Sequence, residues 1–288
     1  MIQILLYSFV TGTQVLLVAL ALFLVYSVSK VQNLALGGIG MAVAYAFYFA
    51  LDNALPLWVV FLVPFLSAII LGAVNFFLNE PFTKKQEYLF ALLTSFSFAV
   101  ALESVISIIF GTGGKSLIGG ISPVYEFGSY QIPVPGLFII GFGIVIGVIL
   151  FFVTRYTPWG RTLKAIAGNS FSAVSLGVGS KKIRFSVYLL ASLIAGAVGI
   201  LVGFNTALTP VMGFSLIIMA FIAFLVGGVS DIKGTVVASY LITLIPALII
   251  SFSPDVSSDW SMVLVFAIAF VLLFFRPDGL FTVKERIS

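Results

Sequence analysis

Nine apolar runs take up almost the whole chain: residues 4–28, 33–51, 57–78, 88–110, 136–154, 185–204, 214–229, 235–252 and 260–275. Most approach the ~20 residues that carry a helix across ~30 Å of hydrocarbon. A soluble fold has no way to cover them. Only 8% of the 288 residues are charged, against about a quarter in soluble domains. The pattern predicts an all-α polytopic membrane protein, a single transmembrane domain over 1–288, with about nine membrane segments and eight to ten as the range. The run 214–229 is short enough to be re-entrant or broken. Gly37, Gly38 and Gly40 leave room for a break in the second run. The first basic residue is Lys30, so the start reads as a first span and not a cleaved leader.

The basic residues orient these spans. Six of the fourteen lie in one stretch, residues 155–184: Arg155, Arg161, Lys164, Lys181, Lys182 and Arg184, with no acid among them. Basic residues concentrate in cytoplasmic loops. With this stretch inside, the chain threads so that Lys30, Lys84, Lys85, Lys233, Arg276, Lys284 and Arg286 also fall inside. Thirteen of the fourteen are then on one side, and only Lys115 is outside. The outer segments carry Asp52, Glu126, Asp255 and Asp259. This predicts an outer N-terminus and a cytoplasmic C-terminus. Residues 111–135, rich in Gly and Pro, read as a turn-rich external loop.

The chain lacks cysteine and histidine, which excludes disulfides, Cys/His metal sites and Cys or His nucleophiles. No basic patch with interleaved aromatics suggests nucleic acid. The string from Gly111 to Ser116 imitates a phosphate loop, but the required first glycine is Ile109 and the string follows an apolar helix. ATP binding is not expected here, nor are paired carboxylates placed for enzyme chemistry.

Three polar residues fall inside spans. Glu103 is the one carboxylate well inside a run, and such groups often line a pathway. Gln14 shares a face with Tyr7 and Thr11. Asn33 either lines a pathway or caps the second helix. Ala191, Ala195, Gly199 and Gly203 recur every four residues and predict close helix packing; Gly38, Ala42, Ala46 and Ala50 do the same. Within 155–184, Pro158 marks a helix start. Leu163, Ile166, Ala167, Phe171, Val174 and Leu176 give a broken apolar face, and Gly177 and Gly179 are stop signals. An amphipathic helix there fits a partner's groove or the membrane surface.

Four stretches resemble the permease subunits of Liv-type, branched-chain amino acid ABC importers. They are RYTPWGRTLKAIAGNSFSAVSLGVGSKKI, PVMGFSLIIMAFIAFLVGGVSDIKGTVVAS, LLFFRPDGLF and, more weakly, VYSVSKVQNLALGGIGMAVAYAF. The resemblance implies a second permease subunit, identical or paralogous, two cytoplasmic ATPases that hold ATP and Mg, and an external solute-binding protein. It implies no cofactor on this chain and a prokaryotic cell membrane. It makes 155–184 a cytoplasmic coupling loop, with Gly160, Arg161, Ala165, Ala167, Gly168, Asn169, Leu176 and Gly177 in the coupling helix and its exit. Three departures stand out: Gly168-Asn169 where an acid is common, Ser230-Asp231 in the turn, and Glu103 in place of a neutral amide. Two other readings remain open on residues alone: a sugar permease of a related ABC type, and an ion-coupled secondary transporter using Glu103.

Overall fold

The computed structural model describes residues 2–117, 124–127, 130–168, 179–229, 232–252, 257, 260–277 and 279–281. The helices are α1 Ile2–Ser29, α2 Ala35–Asp52, α3 Leu57–Lys85, α4 Tyr88–Phe110, α5 Val134–Tyr156, α6 Pro158–Gly168, α7 Ser180–Asn205, α8 Met212–Gly227, α9 Ile232–Phe252 and α10 Ser261–Phe275. Seven of them (α1 to α5, α7 and α9) are long and apolar enough to cross a bilayer. α8 and α10 are apolar but have 16 and 15 residues. At 1.5 Å per residue that is about 24 Å and 22 Å, short of ~30 Å. The all-α polytopic class holds, and among the described residues seven of the nine apolar segments have the length to cross. The segment 111–135 contains one small hairpin, β1 Val124–Phe127 against β2 Tyr130–Pro133, antiparallel, where the sequence suggested only turns.

α1 is the axis of the bundle. It packs against α5, α7, α8 and α9, and Val15, Leu17, Val18, Ala19, Ala21 and Leu22 are buried on every side of it. A helix that is apolar all round belongs in such an interior. α2 is enclosed by α3, α4, α7 and α8. By contrast, α3, α4 and α5 turn Phe61, Phe65, Leu89, Ile108, Phe138 and Phe152 outward, an apolar coat for lipid or a neighbouring subunit.

The glycine cluster does not break α2. Each glycine admits a different neighbour: Gly37 meets α8 at Gly213 and Ile217, Gly38 meets α4 at Ala99, and Gly40 meets α7 at Ala195. A Cβ added at Gly199 would land on the Gly40 carbonyl, and one at Gly234 on the Gly227 carbonyl. Lipid gives helices no hydrophobic reason to associate, so such close backbone contact supplies the attraction.

Two helices begin inside the bundle. Residues 30–33 run without helix, and Val31 and Asn33 are fully buried. α2 therefore starts beside Ser95, whose Oγ accepts the Leu34 N–H at 3.2 Å. Ser95 lies seven residues, or about 10 Å, along α4. Asn33 Oδ1 accepts the Ala35 N–H at 3.1 Å. Non-helical backbone at this depth is tolerated because protein groups satisfy it. α8 starts against α2, at Gly213 on Gly37. The segment before it is held by backbone bonds between Lys115 and Leu208, 2.9 and 2.8 Å, and by Tyr45 OH donating to the Leu208 carbonyl at 3.2 Å. At the other end of α8, Leu280 N–H donates to the Val226 carbonyl at 2.8 Å.

Candidate functional site: the short basic helix and the Glu103 cleft

α6 has a well-defined start. Thr157 precedes Pro158, and its Oγ1 accepts the Gly160 N–H at 3.1 Å. Proline suits the first helical position because its missing donor would be unsatisfied there anyway. Gly160 is buried where a side chain would strike Val153 O and Thr154, so α6 folds back directly on the end of α5. Trp159 Nε1 donates to Ser186 Oγ at 2.9 Å, tying α6 to α7. Lys30 Nζ donates to the Ala167 carbonyl at 3.4 Å, linking α6 to the end of α1.

Leu163 and Ile166 are buried under α6. Arg161, Lys164, Ala165 and Gly168 are exposed, and Ala167 is half-buried. The exposed residues form one stripe at i, i+3, i+4 and i+7. Asn169, Leu176 and Gly177 lie outside the described residues, as does the suggested continuation of the helix to Leu176.

Nearer the middle of the bundle, α2, α4 and α8 enclose a cleft lined by Leu34, Gly38, Ala99, Glu103, Pro210 and Gly213 among others. It offers about 30 Å³, room for one or two waters. Glu103 is half-buried on its wall. The first turns of α2 and α8 border it; Ser95 and Asn33 accept the first N–H groups of α2, while α8 has no side-chain cap. The cleft thus combines a carboxylate with two helix starts, whose dipoles present partial positive charge.

Residues 4–273 match the family described as branched-chain amino acid transport system permease component. The chain belongs to this family. It is 26% identical over 246 residues to the probable branched-chain amino acid transport permease protein LivH of Methanocaldococcus jannaschii, covering 81% of this chain and 76% of that one. It is 22% identical over 286 residues to the high-affinity LivH permease of Escherichia coli strain K12, covering 93% and 91%. Among solved structures, PsaBC from Streptococcus pneumoniae in complex with Fab shares the fold, with a TM-score of 0.53, 15% identity, and 94% and 91% coverage. The permease is a multi-pass protein of the cell membrane and a transport subunit of an ABC system. ATP hydrolysis is carried by separate ATPase partners, and the family implies a permease partner as well.

The other singled-out residues of the permease are placed as follows. Gln14 and Asn33 are 6% and 0% exposed, and of the three polar candidates Glu103 is the one on the wall of the cleft. Ala191, Ala195 and Gly199 are buried on α7, with Ala195 and Gly199 against α2 at Gly40 and Gly203 against Leu208. One feature escaped the sequence. Arg184, legible only as part of the basic stretch, forms an ion pair with Glu80 of α3: Nη2 to Oε1 at 2.6 Å and Nε to Oε2 at 3.1 Å. The side chains are 11% and 14% exposed. Just beyond it, Asn75 and Asn79 of α3 and Tyr188 and Ser192 of α7 are buried. The two-turn spacing of Asn75, Asn79 and Thr83 in an apolar run was the available signal.

Proposed function

We propose that this permease moves branched-chain or related amino acids, or small amides, delivered by an external solute-binding protein. The basic stretch 155–184 is cytoplasmic, the N-terminus is outside and the C-terminus inside. α6 is the part gripped by the ATPase, which holds ATP and Mg. The observation that carries this reading is the mounting of α6. It is fastened to α5, α7 and α1 while its Arg161, Lys164, Ala165 and Gly168 stripe stays uncovered. A short lever joined to three spans transmits a push to all of them. Asn169, Leu176 and Gly177 belong to the exit of the same lever. The second permease subunit, identical or paralogous, covers part of the outward apolar coat and lipid covers the rest.

The substrate reading rests on the cleft at Glu103. An amino acid carries a cation and an anion side by side. A carboxylate facing two helix starts matches both. The cleft is closed to a solute of that size in this conformation, as one state of an alternating-access cycle requires.

The test is co-purification of the ATPase and uptake of radiolabelled leucine in the native host. Arg161→Glu with Lys164→Glu should abolish ATPase recovery and uptake together. Glu103→Gln should leave recovery intact and cut uptake at least tenfold. Full ATPase recovery with the α6 variant would overturn the coupling assignment. Uptake that follows an ion gradient and ignores the ATPase would overturn the transport reading.

A further inference from the structure

A basin of about 570 Å³ opens beside α6, at the end of the bundle where α1 and α3 finish and α7 begins. Lys30, Lys84 and Lys181 line it, with the hydroxyl-bearing Thr83, Tyr88 and Ser180. All three lysines are exposed. Glu80 and Arg184 also line it, but they neutralise each other. The lining described therefore carries three positive charges beyond that pair. Glu87, at the start of α4, is not among the lining residues. Residues 169–178, which follow α6 in sequence, contain no Asp or Glu. α7 begins at Ser180 with no side-chain cap, and the positive end of its dipole adds to the field.

Two backbone outliers border the same basin. Lys30 and Gln86 adopt left-handed conformations, with φ of 56° and 62°. Each closes a helix, Lys30 at the end of α1 and Gln86 at the end of α3, as a left-handed cap. With Ala54 they are the non-glycine residues of positive φ among those described. Glycine is the usual residue at such a cap, and at either position it would remove a polar side chain from the basin.

We infer that this basin binds a phosphate-bearing anion, which ties α6 to the ends of α1, α3 and α7. Three ammonium groups, the Tyr88 and Ser180 hydroxyls and a helix start supply the hydrogen bonds that phosphate oxygens need; the Thr83 hydroxyl already donates to the Asn79 carbonyl. Two sources have this chemistry: an anionic lipid headgroup and soluble phosphate. Occupancy joins the lever to three membrane helices, so the anion acts on coupling and not on solute choice.

The experiment uses the full chain, delipidated in detergent. Native mass spectrometry reads the binding of added phosphatidylglycerol against added phosphatidylcholine, and calorimetry reads inorganic phosphate. Two triple variants are compared with the parent: Lys30→Gln, Lys84→Gln and Lys181→Gln in the basin, and Lys85→Gln, Lys164→Gln and Lys182→Gln outside it. The basin variant should lose at least tenfold in affinity for the bound anion, with the outside variant unchanged. Selective binding of phosphatidylglycerol identifies a headgroup, and saturable phosphate binding alone identifies the soluble anion. Lys181→Glu, a single surface change, should reproduce the loss if the triple variant folds poorly. Equal losses in both triples would reduce the effect to general surface charge and overturn the site. So would release of the bound anion when the ATPase assembles, which would give these lysines to acids of the ATPase.

Discussion

The Glu80–Arg184 pair shows what one residue can carry at the edge of a membrane. Both side chains are largely removed from water, and each satisfies the other through two contacts. Removing one partner strands a charge. Arg184→Met should destabilise the permease by about 3–5 kcal/mol, while Glu80→Met combined with Arg184→Met should lie within about 1 kcal/mol of the parent. Denaturant unfolding in detergent, read as a double-mutant cycle, checks both. If Arg184→Met alone proves neutral, the pair is not stabilising α3 against α7. The pair also explains why Arg184 stands apart from Arg161 and Lys164, although all three belong to one basic stretch. Arg184 is committed inside the bundle; the other two face outward.

At the scale of elements, the decisive contacts are between backbones. Gly199→Ala places a methyl group on the Gly40 carbonyl and forces α2 and α7 apart. It should cost about 1–3 kcal/mol. Gly141→Ala on α5 meets nothing within 4 Å and should leave the melting temperature unchanged. Much of this level was readable beforehand. The spans, the packing stripe on α7 and the start of α6 at Pro158 all follow from period, residue size and proline. The recessed start of α2 did not. It depends on Ser95, 61 residues away, accepting the Leu34 N–H, and no local pattern announces such a pairing. The glycines in α2 were legible as special but suggested a break. Their actual role, one glycine for each neighbouring helix, needs the neighbours in place. The cleft was half legible: Glu103 was visible as a carboxylate at depth, while its position facing two helix starts emerged from long-range packing. The small hairpin in residues 111–135 was missed because β1 and β2 have four residues each and lie among turn formers.

For the whole molecule, the central expectation is direction across the membrane. The chain has no cysteine, so single cysteines give an unambiguous background. In intact cells an impermeant maleimide should label Lys115→Cys. It should label Lys164→Cys and Lys85→Cys only after permeabilisation. The reverse pattern would invert the permease and place α6 outside, beyond reach of any ATPase.

The bond between Lys115 and Leu208 gives the molecule a line of mechanical continuity. Leu208 leads directly into α8, and the far end of α8 holds the C-terminal segment through Val226 and Leu280. A tug at Lys115 is thus felt along α8 as far as the C-terminal segment that its other end holds. The segment at Lys115 can serve as a handle: whatever grasps it pulls also on the anchor of the distant C-terminal residues.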